Sequence, residues 1–186
     1  MSLIVRPSQI DDIGAILSIK SEPQVARNQY SVDVTGYSEM LQRVLGGDNR
    51  TGIVTTQFST IDKDNESIGY VRHDHYEVNS TRMVSCAWNL MSNYWGQGVM
   101  KESLTRLLDE WILGLKIHHV FADHFRGNVR CRRLLDSLAF ISQEIPMLER
   151  LTCAYQQHCL HWVVRRRLDA DTWKRISRLP VINPIN

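Results

Sequence analysis

The chain has 186 residues, a length that fits one domain of ordinary globular composition, 43% hydrophobic and 23% charged. That balance excludes disorder and low-complexity behaviour. With 22 basic and 20 acidic residues the net charge is +2, which gives no reason to expect a nucleic-acid partner.

No apolar run approaches the ~18 residues that would span a bilayer, so no membrane partner is expected. The start, MSLIVRPSQIDD, lacks the pattern of a secretory leader. Four cysteines, Cys86, Cys131, Cys153 and Cys159, are too few for a disulfide framework in a chain of this size. The expectation is a reduced, cytoplasmic protein, a single domain over 1–186 with its core at about 3–168 and a tail at 169–186.

In chain order, Leu3, Ile4 and Val5 open a short strand. Asp11 or Asp12 is placed to cap a helix whose apolar positions are Ile13, Ile16, Leu17 and Ile19. Residues 21–37 read as irregular. A helix is predicted over 37–45, ending at Gly46-Gly47. Strands are predicted at 52–58, 67–72 and 82–90, joined by turn-forming residues as antiparallel hairpins. A glycine-bearing loop, 92–98, precedes a helix with Met100, Leu104, Leu107, Leu108, Trp111 and Leu115 on one face, ending near Gly114. A strand at 119–123 and a helix at 128–138 follow. Closing strands are expected at 140–145, 149–154 and 160–165, and a short helix around Trp173. The fold class is α/β of mixed type, without the strict alternation of a doubly wound parallel sheet.

The segment Trp88 to Met100 runs strand, tight loop, helix. Unpaired backbone N–H groups at a helix start, with Gly96 and Gly98 allowing close approach, make an anion site suited to a pyrophosphate. A Walker loop is excluded by the spacing. The dinucleotide fingerprint fails because position 101 is lysine where a third glycine belongs.

The stretch Asn93-Tyr94-Trp95-Gly96-Gln97-Gly98-Val99-Met100 resembles the acetyl-CoA loop of the GNAT acetyltransferases, in their RimJ/RimL branch. That loop reads Gln/Arg-x-x-Gly-x-Gly/Ala, and Asn93 departs from its first position. Asn128-Val129-Arg130-Cys131 and Leu134 to Phe140 resemble the family's Asn-x-x-Ser helix, with cysteine for serine at 131 and alanine for glycine at 139. His161-Trp162-Val163-Val164 resembles a late strand of these enzymes.

The resemblance implies a GNAT fold: a central, mostly antiparallel sheet with a splayed parallel strand pair, 82–90 and 119–123, flanked by helices. It implies acetyl-CoA as cosubstrate, lying in that splay. Leu90 and Met91 would be backbone ligands of the pantetheine arm, one of their N–H groups polarising the thioester. Trp95, Gly96, Gln97, Gly98, Val99 and Met100 would cradle the pyrophosphate. Asn128 would bind the arm or cap its helix, and Arg133, Arg130, Arg132 and Lys101 are candidates for the phosphates. Cys131 stands where a serine acid is found. Glu149 is the nearest match to the family's glutamate base, with Glu144, Asp123 and His124 behind it. The implied activity is acetyl transfer to a primary amine, a protein N-terminus or a small amine such as a polyamine or amino sugar. A CoA-binding module without catalysis is the alternative. A homodimer is expected from the way late strands pair in such folds. Tyr30, Tyr37, Glu39 and Tyr155 are candidates for the acceptor pocket. No metal is expected, since His73-Asp74-His75 and the looser set Cys153, His158, Cys159 and His161 match no ligand spacing.

Overall fold

The computed structural model describes residues 2–29, 33–144 and 163–178. Glu149, Tyr30, Tyr155, Cys153, His158, Cys159, His161, Trp162 and the strand expected at 149–154 lie outside the described residues.

The elements, in order, are β1 (Leu3–Pro7), a 3-10 turn (Ile10–Asp12), α1 (Ile13–Ser21), α2 (Pro23–Ala26), α3 (Val34–Leu45), β2 (Arg50–Thr51), β3 (Val54–Lys63), β4 (Glu66–Val78), β5 (Thr81–Leu90), a second 3-10 turn (Ser92–Tyr94), α4 (Val99–Leu108), a π-helical turn (Asp109–Gly114), β6 (His119–Phe125), α5 (Val129–Ser137), β7 (Ile141–Gln143), β8 (Val163–Asp169) and α6 (Ala170–Ile176). Among the described residues they form one sheet in the order β1-β3-β4-β5-β6-β8-β7, with β2 on β3.

Two tight hairpins build the meander. Asp64 and Asn65 (φ 53° and 68°) join β3 to β4, and Asn79 and Ser80 (φ 49° and 63°) join β4 to β5. Two successive positive φ angles match the twist of the flanking strands. The link from β5 to β6 contains α4, so that pair is parallel while its neighbours are antiparallel.

Successive strand side chains point to opposite faces. Tyr70 therefore packs with Ile16, Ile19, Leu41 and Phe58 beneath α1 and α3, and Val71 with Val84, Leu104, Val120 and Leu135 beneath α4 and α5. No described helix is long and apolar enough to cross a membrane.

Several local expectations are corrected. Asp12 does not cap α1. It accepts the Gln9 N–H at 2.7 Å and both terminal nitrogens of Arg6 at 2.8 Å, so its carboxylate closes the 3-10 turn instead. The segment expected to be irregular contains α2, and α3 starts at Val34 because Asp33 accepts the Gly36 N–H at 3.0 Å. Leu115 is 44% exposed although the helical spacing put it inward. The π turn widens the helix after Leu108, which keeps Trp111 and Ile112 buried and rotates later residues away.

His73 and His75 pack against Trp111 of the π-helical turn and hydrogen-bond each other (Nδ1···Nε2 2.7 Å), while the outer nitrogen of His73 meets Ser59 Oγ at 3.1 Å. Burial, then the neighbouring His75, holds the His73 imidazole down to about 3. The unfolded chain takes up this proton near ~6.5, so the stabilising contribution is complete above about pH 6.5 and is lost as pH falls toward 3. Thermal unfolding should show Tm falling as pH drops from 6.5 toward about 3, the window set by those two values. His73→Gln should flatten that dependence, and an unchanged slope would contradict the assignment.

Candidate active site

The parallel pairing of β5 with β6 runs from Met83↔His119 to Cys86↔Ala122 and stops there. Both strands continue, β5 to Leu90 on β4 and β6 to Phe125 on β8. The last residues of each strand thus diverge while staying paired on their outer sides. The Met91 N–H donates to the Ile68 carbonyl at 2.9 Å. In an antiparallel ladder the residues that bond across a given edge alternate, so Ala87 and Asn89 also turn their backbone groups toward β4. Trp88 and Leu90 turn theirs into the gap. The Leu90 carbonyl accepts the Trp95 indole N–H at 2.8 Å. Among the described residues the Leu90 N–H and both backbone polar groups of Trp88 find no partner across the gap, and such groups are not left unsatisfied without cost.

A cleft of about 1150 Å³ runs through this gap. At one end it is lined by Trp95, Gly96, Gly98, Val99, Met100, Lys101, Asn128, Arg130, Cys131 and Arg133. Gly96 and Gly98 take φ of 76° and 78°, and no protein atom lies within 4 Å of where a β-carbon would sit on either. Gly98 starts α4 with no side-chain cap, so among the described residues the N–H groups of Val99, Met100 and Lys101 are left as donors at the helix start. Gln97 is turned away from the cleft, its amide donating to the Asn93 carbonyl at 2.7 Å. The Arg130 guanidinium lies over the Trp95 ring, 4.8 Å from its centre. These donors, charges and open glycines fit a diphosphate, and the polar backbone of the gap fits an amide-bearing arm.

The profile of the acetyltransferase (GNAT) domain matches residues 2–141. The chain belongs to the GNAT acetyltransferases. Acetyl-CoA is the cosubstrate of this acetyltransferase. No curated protein sequence matches it significantly. Solved structures share its fold at low identity. An aminoglycoside acetyltransferase, AAC(6')-Ib in complex with coenzyme A, is 12% identical with a TM-score of 0.72, covering 95% of this chain and 99% of its own. The ribosomal-protein-S5-alanine acetyltransferase from Vibrio fischeri is 14% identical with a TM-score of 0.70, covering 93% and 96%. Mutant forms of the spermidine/spermine N-acetyltransferase from Vibrio cholerae are 15% identical with a TM-score of 0.66, covering 95% and 98%.

Within the acetyltransferase, Asn128 caps α5, its Oδ1 accepting the Cys131 N–H at 3.1 Å. Burial pushes the Cys131 thiol up to about 12, so it stays protonated at neutral pH. Cys86 beneath it is pushed up as well, again by burial. Of the candidate bases, Asp123 lies in the cleft in a two-point ion pair with Arg165, at 3.0 Å for each contact. Glu144 is exposed. Met91, one of two candidates for the oxyanion donor, has its N–H committed to Ile68 and leaves the Leu90 N–H facing the gap.

The far end of the cleft is lined by Lys20, Gln24, Gln29, Tyr37, Tyr70, Arg72 and Asn89. Of these only Tyr37 was expected from the sequence. Glu39 is exposed and takes no part in the lining. Asn89 donates to the Tyr70 hydroxyl at 2.7 Å, and Lys20 lies 4.2 Å over the Tyr37 ring. Arg72 pairs with Asp74. Glu22 clasps the start of the loop, accepting the Ser92 N–H at 3.1 and 3.3 Å and its hydroxyl. The lining residues come from α1, α2 and the turn after it, α3, β4 and β5, and no spacing in the sequence marks them as one wall.

Ala139 has φ +61°, where an L side chain crowds the following carbonyl. This is the position at which the family pattern carries glycine. Ala139→Gly should stabilise the fold by about 1 kcal/mol, read as a rise in Tm. A fall in Tm would contradict the strain assigned here.

Proposed function

We propose that the acetyltransferase modifies a primary amine of low charge, with the α-amine of a protein N-terminus as the leading case. The observation that carries this is the described acceptor wall. Among the described residues that line it, Asp123 is the one carboxylate and is engaged by Arg165, while Asp74 beside the wall is engaged by Arg72. With both carboxylates already engaged by arginines, the described wall leaves none to hold the second ammonium of a polyamine, and it suits a singly charged or neutral amine. An α-amine also titrates near ~7.7–8.0, against ~10.4 for a lysine, so a useful fraction is neutral without strong base assistance. The loop Tyr94-Trp95-Gly96-Gln97-Gly98-Val99-Met100 resembles the RimJ/RimL branch, which supports the same choice.

In this reading the Leu90 N–H donates to the thioester carbonyl as charge builds on its oxygen. The protonated Cys131 thiol donates a hydrogen bond to the departing sulfur. Glu149 takes the amine proton. Transfer is direct, with no acetyl group held on the protein.

Thiol release from acetyl-CoA should be compared for an alanine-initiated peptide, spermidine and an aminoglycoside. The peptide is expected to exceed spermidine in kcat/KM at least tenfold. A preference for spermidine would overturn the choice of acceptor. Tight CoA binding with no turnover on any amine would favour a binding module instead.

A further inference from the structure

His124 lies on β6 where that strand has parted from β5, and it is 4% exposed. Its Nδ1 meets the Phe125 carbonyl at 2.8 Å. A carbonyl only accepts, so Nδ1 carries the proton and Nε2 presents a lone pair. Among the described residues that buried Nε2 has no hydrogen-bond partner, although buried polar atoms are nearly always satisfied. His124 lines the cleft, together with Trp88 and Leu90 on the opposite wall. Burial, the first of the causes, holds the imidazole below its usual range, which keeps it neutral at pH 7. The acyl donor that enters this gap carries an arm with two amide N–H groups and passes between the two walls.

We propose that His124 Nε2 is a side-chain ligand of the pantetheine arm, accepting one of its amide N–H groups. This rests on the assignment of the cleft to acetyl-CoA. The β5 wall offers the Trp88 backbone and the Leu90 N–H, and the β6 wall answers with a fixed acceptor. The imidazole is pre-oriented by its bond to Phe125, so little freedom is lost when the arm binds.

Calorimetry with CoA and with adenosine 3′,5′-bisphosphate, which lacks the arm, separates this role from a structural one. His124→Leu removes the acceptor and should weaken CoA binding by about three- to tenfold, the range of one hydrogen bond, leaving the bisphosphate unaffected. His124→Gln, which returns an acceptor oxygen near the same place, should recover most of the loss. Undiminished CoA affinity in His124→Leu would overturn the proposal and leave Nε2 to a water. So would an equal loss for both ligands, which would mark a general disturbance of the fold. Failure of the unaltered protein to bind CoA would instead overturn the assignment of the cleft itself.

Discussion

Gly98→Ala should weaken CoA binding at least tenfold and raise KM for acetyl-CoA accordingly, with kcat changed less. Gly98 is the residue at which the loop becomes α4, at φ +78° and without a side-chain cap. An L residue there is strained by about 1–2 kcal/mol. The chain relieves that strain by rotating the peptides that follow, and those peptides carry the donors aimed at the diphosphate. Because no protein atom lies within 4 Å of the added β-carbon, crowding within the protein is not the cause. Stability should fall by no more than the strain itself, while the affinity falls by at least tenfold, about 1.4 kcal/mol. Calorimetric titration beside a melting curve checks both. Unchanged CoA affinity would remove the loop from the donor site.

Leu90→Pro should lower kcat by about 10²–10³, the effect of losing one oxyanion donor, in a protein that still folds. Leu90 turns its N–H into the gap, so proline there removes no rung of the β4–β5 ladder. The loss of a buried leucine will lower Tm, so activity is to be compared well below the melting transition. Asn89→Pro supplies the contrast. Its N–H faces β4, paired at Tyr70, and its removal breaks a rung of a central ladder, so Asn89→Pro should lower Tm well beyond Leu90→Pro. Equal behaviour of the two variants would contradict the alternation on which the assignment rests.

The donor half of the site is local, and local features are legible. The loop after β5, the glycines at 96 and 98 and the cap at Asn128 lie in short contiguous segments whose backbone needs show in residue type. The gap itself needed more. The residues 82–90 and 119–123 named the two strands, but the point of parting after Cys86 and Ala122 depends on how β4 and β8 hold their outer edges. The parity that commits Met91 to Ile68 and frees Leu90 is set by register, and a shift of one residue would exchange them. The acceptor wall was illegible for another reason. Lys20 on α1 lies far in sequence from Tyr70, Arg72 and Asn89 on the β4–β5 hairpin, and each element has the pattern of an ordinary amphipathic helix or strand. Leu115 was misjudged because an α-helical period was carried through a turn that changes to π geometry.

The central claim is that acetyl-CoA threads between the separated ends of β5 and β6, held by main-chain donors on one side and the loop before α4 on the other. Amide exchange followed residue by residue, with and without CoA, tests it most directly. Protection should rise at Trp88, Leu90 and residues 98–101 and stay unchanged at Met91, already bonded to Ile68. Protection confined to other surfaces, with Leu90 exchanging at the same rate in both states, would contradict the account.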